Sequence, residues 1–127
     1  MSLVRISLMK DRPAGLGKEI GAVVYRTMVD TMNVPPHDNF QVITEHDRDS
    51  LIYDPEYLNI LRTNDVVLIQ ITLNEGRTVE MKKAFYQTLA ERLNQELGLR
   101  TENVLINLLE VKKENWSFGN GIAQYVP

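Results

Sequence analysis

Cysteine is absent from the 127 residues. That excludes disulfides, thiolate metal sites and a cysteine nucleophile. Histidine occurs only as His37 and His46, whose spacing is not that of a metal-ligand pair, so no metal is expected. Positive charge is in the minority: 14 Lys and Arg against 17 Asp and Glu leave a net charge of −3. No general attraction to nucleic acid or to an anionic membrane follows from that balance. An aromatic-basic strand of the kind that stacks RNA bases is missing too. No apolar run reaches the roughly 18 residues of a membrane span, and the first residues form no signal-peptide core. A soluble, cytoplasmic protein without nucleic-acid or membrane partners is the expectation. The apolar fraction of 43% and charged fraction of 24% are ordinary. Residues 1–127 are expected to form one domain with a core of its own.

The most informative feature that is present is a repeat. A shift of 65 residues carries Ile6-Ser7-Leu8 onto Ile71-Thr72-Leu73, Arg12 onto Arg77 and Leu16 onto Met81. It carries Lys18 onto Lys83, Ile20 onto Phe85, Val24 onto Leu89, Met28 onto Leu93 and Asn33 onto Gly98. Each copy reads as strand, arginine-bearing loop, amphipathic helix, stop, strand. Internal repeats of this length define the architecture.

Leu3 to Met9 alternates as a first strand, and Pro13 and Gly15 keep the next segment out of helix. Leu16, Ile20, Val23, Val24 and Met28 then mark one buried face of a helix. Asn33 is a left-handed stop, and Pro35-Pro36 forbid continuation before a strand at Phe40 to Thr44. The stretch from His46 to Asn64 is a polar linker without an evident counterpart in the repeat. Val66 to Thr72 is the third strand, Thr78 an N-cap, and Met81, Phe85, Leu89, Leu93 and Leu97 a helical stripe ended by Gly98. Val104 to Val111 is the last strand. The repeat units span about 3–45 and 66–111, and the tail 112–127, with the only tryptophan, lies outside both.

The fold class is therefore α+β: a duplicated β-α-β chain giving a four-stranded sheet with two helices on one face. Strands apolar on both faces imply that another subunit covers the open side. An oligomer is therefore expected, with the tail available to cross subunit boundaries. Gly119 and Gly121 form no phosphate loop, since neither lysine nor a helix start accompanies them. The same element order also fits a ferredoxin-like ligand-binding module without chemistry.

The start Ser2-Leu3-Val4-Arg5-Ile6, the helix end with Val34-Pro35 and Asp38-Asn39-Phe40-Gln41, and the tail Asn115-Trp116-Ser117-Phe118-Gly119 together resemble the tautomerase superfamily. The likeness is strongest to its malonate-semialdehyde-decarboxylase-like branch and covers essentially the whole chain. It implies a homotrimer acting on a small carboxylate, with no cofactor. In that family an N-terminal proline amine does the chemistry, as a base in tautomerases and as an acid in decarboxylases and hydratases. A free α-amine titrates near about 7.7–8.0, and apolar burial lowers that further.

The resemblance assigns Arg77 to the substrate carboxylate, with its repeat mate Arg12 as a second candidate. Asp38 matches the aspartate that orients water or the amine; an Asx turn closing the proline segment is the alternative. Phe40, Trp116 and Phe118 are candidates for the apolar wall. Two departures stand out. Position 2 is Ser2 rather than proline, by replacement of the native start or as a natural variant, so proline chemistry should be impaired. Glu75 stands where the decarboxylases carry a second arginine.

Overall fold

A computed structural model describes residues 1–127. Strand β1 (Ser2–Met9) leads to helix α1 (Leu16–Thr31) and strand β2 (Gln41–His46). Strand β3 (Val67–Asn74), helix α2 (Val79–Leu97) and strand β4 (Val104–Val111) follow. The sheet runs β2-β1-β3-β4, with parallel outer pairs and an antiparallel central pair.

The duplication is carried into the geometry. β1 and β3 have the same length and the same sequence of buried and exposed positions. Their ladder pairs Arg5 with Gln70, its own repeat mate. A pseudo-twofold axis therefore passes through that pair. On either side of it, Val4 aligns with Gln41 and Ile69 with Ile106, one and the same offset.

One face of the sheet is the core. Val4, Ile6 and Leu8 of β1 and Val67, Ile69, Ile71 and Leu73 of β3 pack against Ile20, Val24 and Met28 of α1 and Phe85, Leu89 and Leu93 of α2. All are essentially inaccessible. Both helices lie on this face. The first begins at Gly15, in the left-handed region at φ 81°, and the turn after it passes through Asn33 at φ 54°. The second is capped by Thr78, whose hydroxyl accepts from the Met81 N–H at 3.2 Å, and ends at Gly98 with φ 71°. Arg92 ties the helices together, reaching Asp30 at 2.8 Å and the Thr27 hydroxyl at 3.2 Å. No helix is long and apolar enough to cross a membrane.

Strand ends differ by one or two residues from the alternation pattern. β2 covers Gln41–His46 rather than Phe40 to Thr44, because its parallel ladder with β1 continues to the Met9–His46 pair. β3 continues past Thr72 to Asn74, held by β4 as far as Val111. The linker and tail also share a place under the repeat. Leu51 packs on Met9 and Val66; 65 residues on, Trp116 bonds Asn74 and lines a cavity with Met1.

The opposite face is open. Val42, Leu105 and Leu109 are 41%, 42% and 44% exposed there, interleaved with Arg5, Gln70 and Asn107. The Gln70 amide donates to Asn107 across it at 3.1 Å.

Helix α1 approaches β2 closely because Gly17 has no side chain. A Cβ there would sit 2.6 Å from Ile43 Cγ2 and 3.4 Å from Leu8 Cδ2. Ile43 is β-branched and turns aside poorly. Gly17→Leu is expected to destabilise the protein by about 1–2 kcal/mol net, overpacking outweighing a helix-propensity gain of about 1 kcal/mol. Urea denaturation followed by far-UV circular dichroism checks this.

Candidate active site

The site is built at the start of β1. The antiparallel ladder sets Ser2 opposite Leu73, so the N-terminus lies beside the end of β3. The Asn33–Pro36 turn then delivers Asp38 to the same place. The Asp38 N–H closes a turn on the Pro35 carbonyl at 3.2 Å, and the Tyr25 hydroxyl accepts from the His37 N–H at 2.8 Å. The His37 backbone is left-handed at φ 72°.

Asp38 faces the N-terminus with both oxygens. Oδ1 accepts from the Ser2 N–H at 3.3 Å, and Oδ2 lies 3.1 Å from the Met1 amine. That second approach is ion-pair contact without hydrogen-bond alignment, so Oδ2 remains without a hydrogen-bond partner. The Ser2 hydroxyl is enclosed and unpartnered as well. No other enclosed side-chain polar atom in the chain lacks a partner. An orphan such as the Ser2 hydroxyl costs about 1–3 kcal/mol, whereas the Met1 amine offsets part of the cost at Asp38 Oδ2. Their meeting at one spot marks the place as something other than packing.

Above the amine is a cavity of about 220 Å³. Met1, Ser2, Leu3 and Phe40 form its floor, and Trp116, Ser117 and Phe118 its wall. Trp116 and Phe118 stack at 5.5 Å between ring centres and 23° between planes, and Tyr125 meets Phe118 edge-on at 5.1 Å. The Trp116 indole donates to Asn74 Oδ1 at 2.8 Å, which anchors the wall to β3. Arg77 reaches the same residue: its Nη1 donates to the Asn74 carbonyl at 3.0 Å and its Nε to the Met32 carbonyl at 2.9 Å. Four other hollows, of about 290, 470, 420 and 250 Å³, are larger, but none of them is lined by the N-terminal residue.

Ser2, Asp38, Phe40, Trp116 and Phe118 are thus brought together, and Arg77 joins them through Asn74. Arg12 does not. It lies beyond the far end of β1, roughly 25 Å from Ser2 at about 3.3 Å per strand residue. There its guanidinium is held by the Asp65 carbonyl at 3.2 Å and the Asp65 carboxylate at 3.4 Å. The antiparallel centre sends the two repeat-related loops to opposite ends of the sheet, so Arg12 is removed from the set around Ser2. Trp116 stands over the N-terminus of its own chain, where Asn74 takes the indole bond. Asn74 itself was missed; the available signal was a polar residue ending β3 where its repeat mate in β1 is Met9.

A family model described as a tautomerase enzyme matches residues 38–119. The chain belongs to the tautomerase superfamily. It is 40% identical over 126 residues to a probable tautomerase, YusQ, of Bacillus subtilis (strain 168), covering 99% of each chain. Among solved structures, a malonate semialdehyde decarboxylase inhibited by 3-bromopropiolate superposes with a TM-score of 0.90 at 34% identity. The match covers 98% of this chain and 94% of that one, and the protein falls in the malonate-semialdehyde-decarboxylase-like branch. A fused 4-OT wild-type symmetric trimer shares the fold at a TM-score of 0.76 and 20% identity, covering 94% of each chain.

Helix α2, which follows the loop that carries Arg77, is tied to β4 by Lys82 and Glu110, 2.6 Å apart. The hydrogen bond from Lys82, then its charge, the Gly76 N–H and the charge of Arg77 hold the Glu110 carboxyl below its ordinary 4.5. A depressed carboxyl stabilises the folded chain above its unfolded value, and that contribution is lost as pH falls through the lowered one. Lys82→Met should therefore flatten the acid limb of a stability–pH curve below about pH 4.5. Thermal melting across pH 3–7 checks it.

Proposed function

We propose that this protein is a tautomerase that interconverts the enol and keto forms of small 2-keto carboxylic acids in the cytoplasm. What carries the reading is the amine held against Asp38 beneath an apolar aromatic wall. An amine in such a place is a suitable proton carrier. It removes the enol O–H proton and returns a proton to carbon, while Asp38 stabilises the ammonium formed in between. Arg77 is the group for the substrate carboxylate, and Trp116, Phe118 and Phe40 exclude water.

Ser2 occupies the place of the family's proline. With Met1 in place, Ser2 N is an amide and cannot act as a base, and the only basic amine is one residue further out. The activity of the chain as it stands is therefore low on this reading.

Decarboxylation in the manner of malonate semialdehyde decarboxylase is the second reading, favoured by Asp38 and by the 0.90 superposition. Glu75 weighs against it, as it puts an anion where a second cation would grip the carboxylate. A ligand-binding module without chemistry is the third, and there an N-terminal extension should leave ligand binding unchanged. A homotrimer suits all three, since Val42, Leu105 and Leu109 leave an apolar sheet face to be covered.

Preparing the chain with Ser2→Pro as its first residue and following phenylpyruvate enol–keto conversion by absorbance tests the tautomerase reading. The proline form should exceed the parent by about tenfold or more in kcat/KM, within the range that general acid–base catalysis supplies. Equal rates would remove amine catalysis from consideration. Sedimentation at micromolar concentration should show a trimer.

A further inference from the structure

Asn74 is the last residue of β3 and only 8% exposed. An indole N–H donates and never accepts, so the bond from Trp116 Nε1 fixes which way the amide faces. Oδ1 is turned to Trp116, and Nδ2 is turned away from it. Nδ2 carries two N–H donors, and Asn74 makes no side-chain hydrogen bond other than the indole one. Nor is Nδ2 an enclosed orphan, since those are Ser2 Oγ and Asp38 Oδ2 alone. Its donors therefore reach open space, and Asn74 itself is one indole bond from Trp116, which lines the N-terminal cavity.

Arg77 is in a similar condition. Its Nε and Nη1 are committed to the Met32 and Asn74 carbonyls, and its Nη2 is not bonded within the chain. The guanidinium is anchored on the very residue whose amide donors are free. We propose that Asn74 Nδ2 binds the substrate carboxylate together with Arg77 Nη2, a role that rests on the tautomerase reading above. An amide N–H donating to a carboxylate is charge-assisted and roughly twice as strong as a neutral pair. It also tolerates the neighbouring Glu75, and so supplies with a neutral group a second contact to the carboxylate. Asn74 binds the ligand with one end of its amide and holds the aromatic wall with the other.

The test uses the full chain and its single indole. Trp116 fluorescence is titrated with 3-phenylpropionate, an unreactive aryl carboxylate, and with its neutral amide, 3-phenylpropionamide. Asn74→Asp keeps an oxygen for the indole but replaces the donors by an anionic acceptor. Carboxylate affinity should fall about tenfold or more, the scale of a lost hydrogen bond to a charged group. Affinity for the neutral amide should change by less than about twofold, which also shows that the cavity is intact. An unchanged carboxylate affinity, or an equal loss for both ligands, would overturn the role of Nδ2 and leave the site reading standing. Failure of the parent chain to bind the carboxylate would overturn both. Should Asn74→Asp misfold, Asn74→Ser shortens the donor out of reach and must show the same carboxylate-selective loss.

Discussion

The antiparallel pairing of β1 with β3 is the constraint on which the site depends. Each β-α-β unit by itself makes only a parallel pair, with its loops at fixed ends. Joining the units through Arg5 and Gln70 puts the beginning of one next to the end of the other. The chain's amine thus comes to lie beside Asn74 and the Arg77 loop, which belong to the second unit. The same operation removes Arg12 to the opposite end, where Asp65 occupies it. Two copies of one unit yield a single N-terminal site because only one copy begins with an amine.

Burial then sets the character of that site. A carboxylate oxygen without a hydrogen-bond partner and an unpartnered hydroxyl sit together at the start of β1, neither reached by solvent. In such surroundings an ion pair is felt more strongly than at the surface, and a missing partner costs more. Asp38 is held there by backbone turns rather than by its own side chain, so its oxygens are free to face the amine. Asn74 plays the complementary part on the other side, bonding the indole and the Arg77 guanidinium. The wall and the cation are in this way attached to the sheet at one residue.

Much of this was legible in the chain. The helical stripes, the Thr78 cap, the Gly98 stop and the left-handed Asn33 are local matters, decided by residues a few positions apart. Asp38, Trp116 and Phe118 were recognisable from their sequence surroundings, and the structure brings them together with Ser2. Strand ends were less legible, because Asn74 and His46 are strand residues only by virtue of their ladder partners. The equivalence of linker and tail was hidden for a related reason. Leu51 and Trp116 share a place through what they touch, not through similarity of residue type.

The amino-acid sequence by itself determined the duplicated β-α-β order, the two buried helix faces and the presence of Asp38, Arg77 and Trp116, since periodicity and turn chemistry act over short stretches of chain. Tertiary structure alone decided that Arg77 and not Arg12 lies at the N-terminal end of β1, that the tail turns back on its own chain, and that Asn74 joins the wall to the cation. Those depend on contacts between residues tens of positions apart, such as Arg77 with Met32 and Trp116 with Asn74. Contacts of that kind arise only when sheet register brings the partners within about 3 Å of each other.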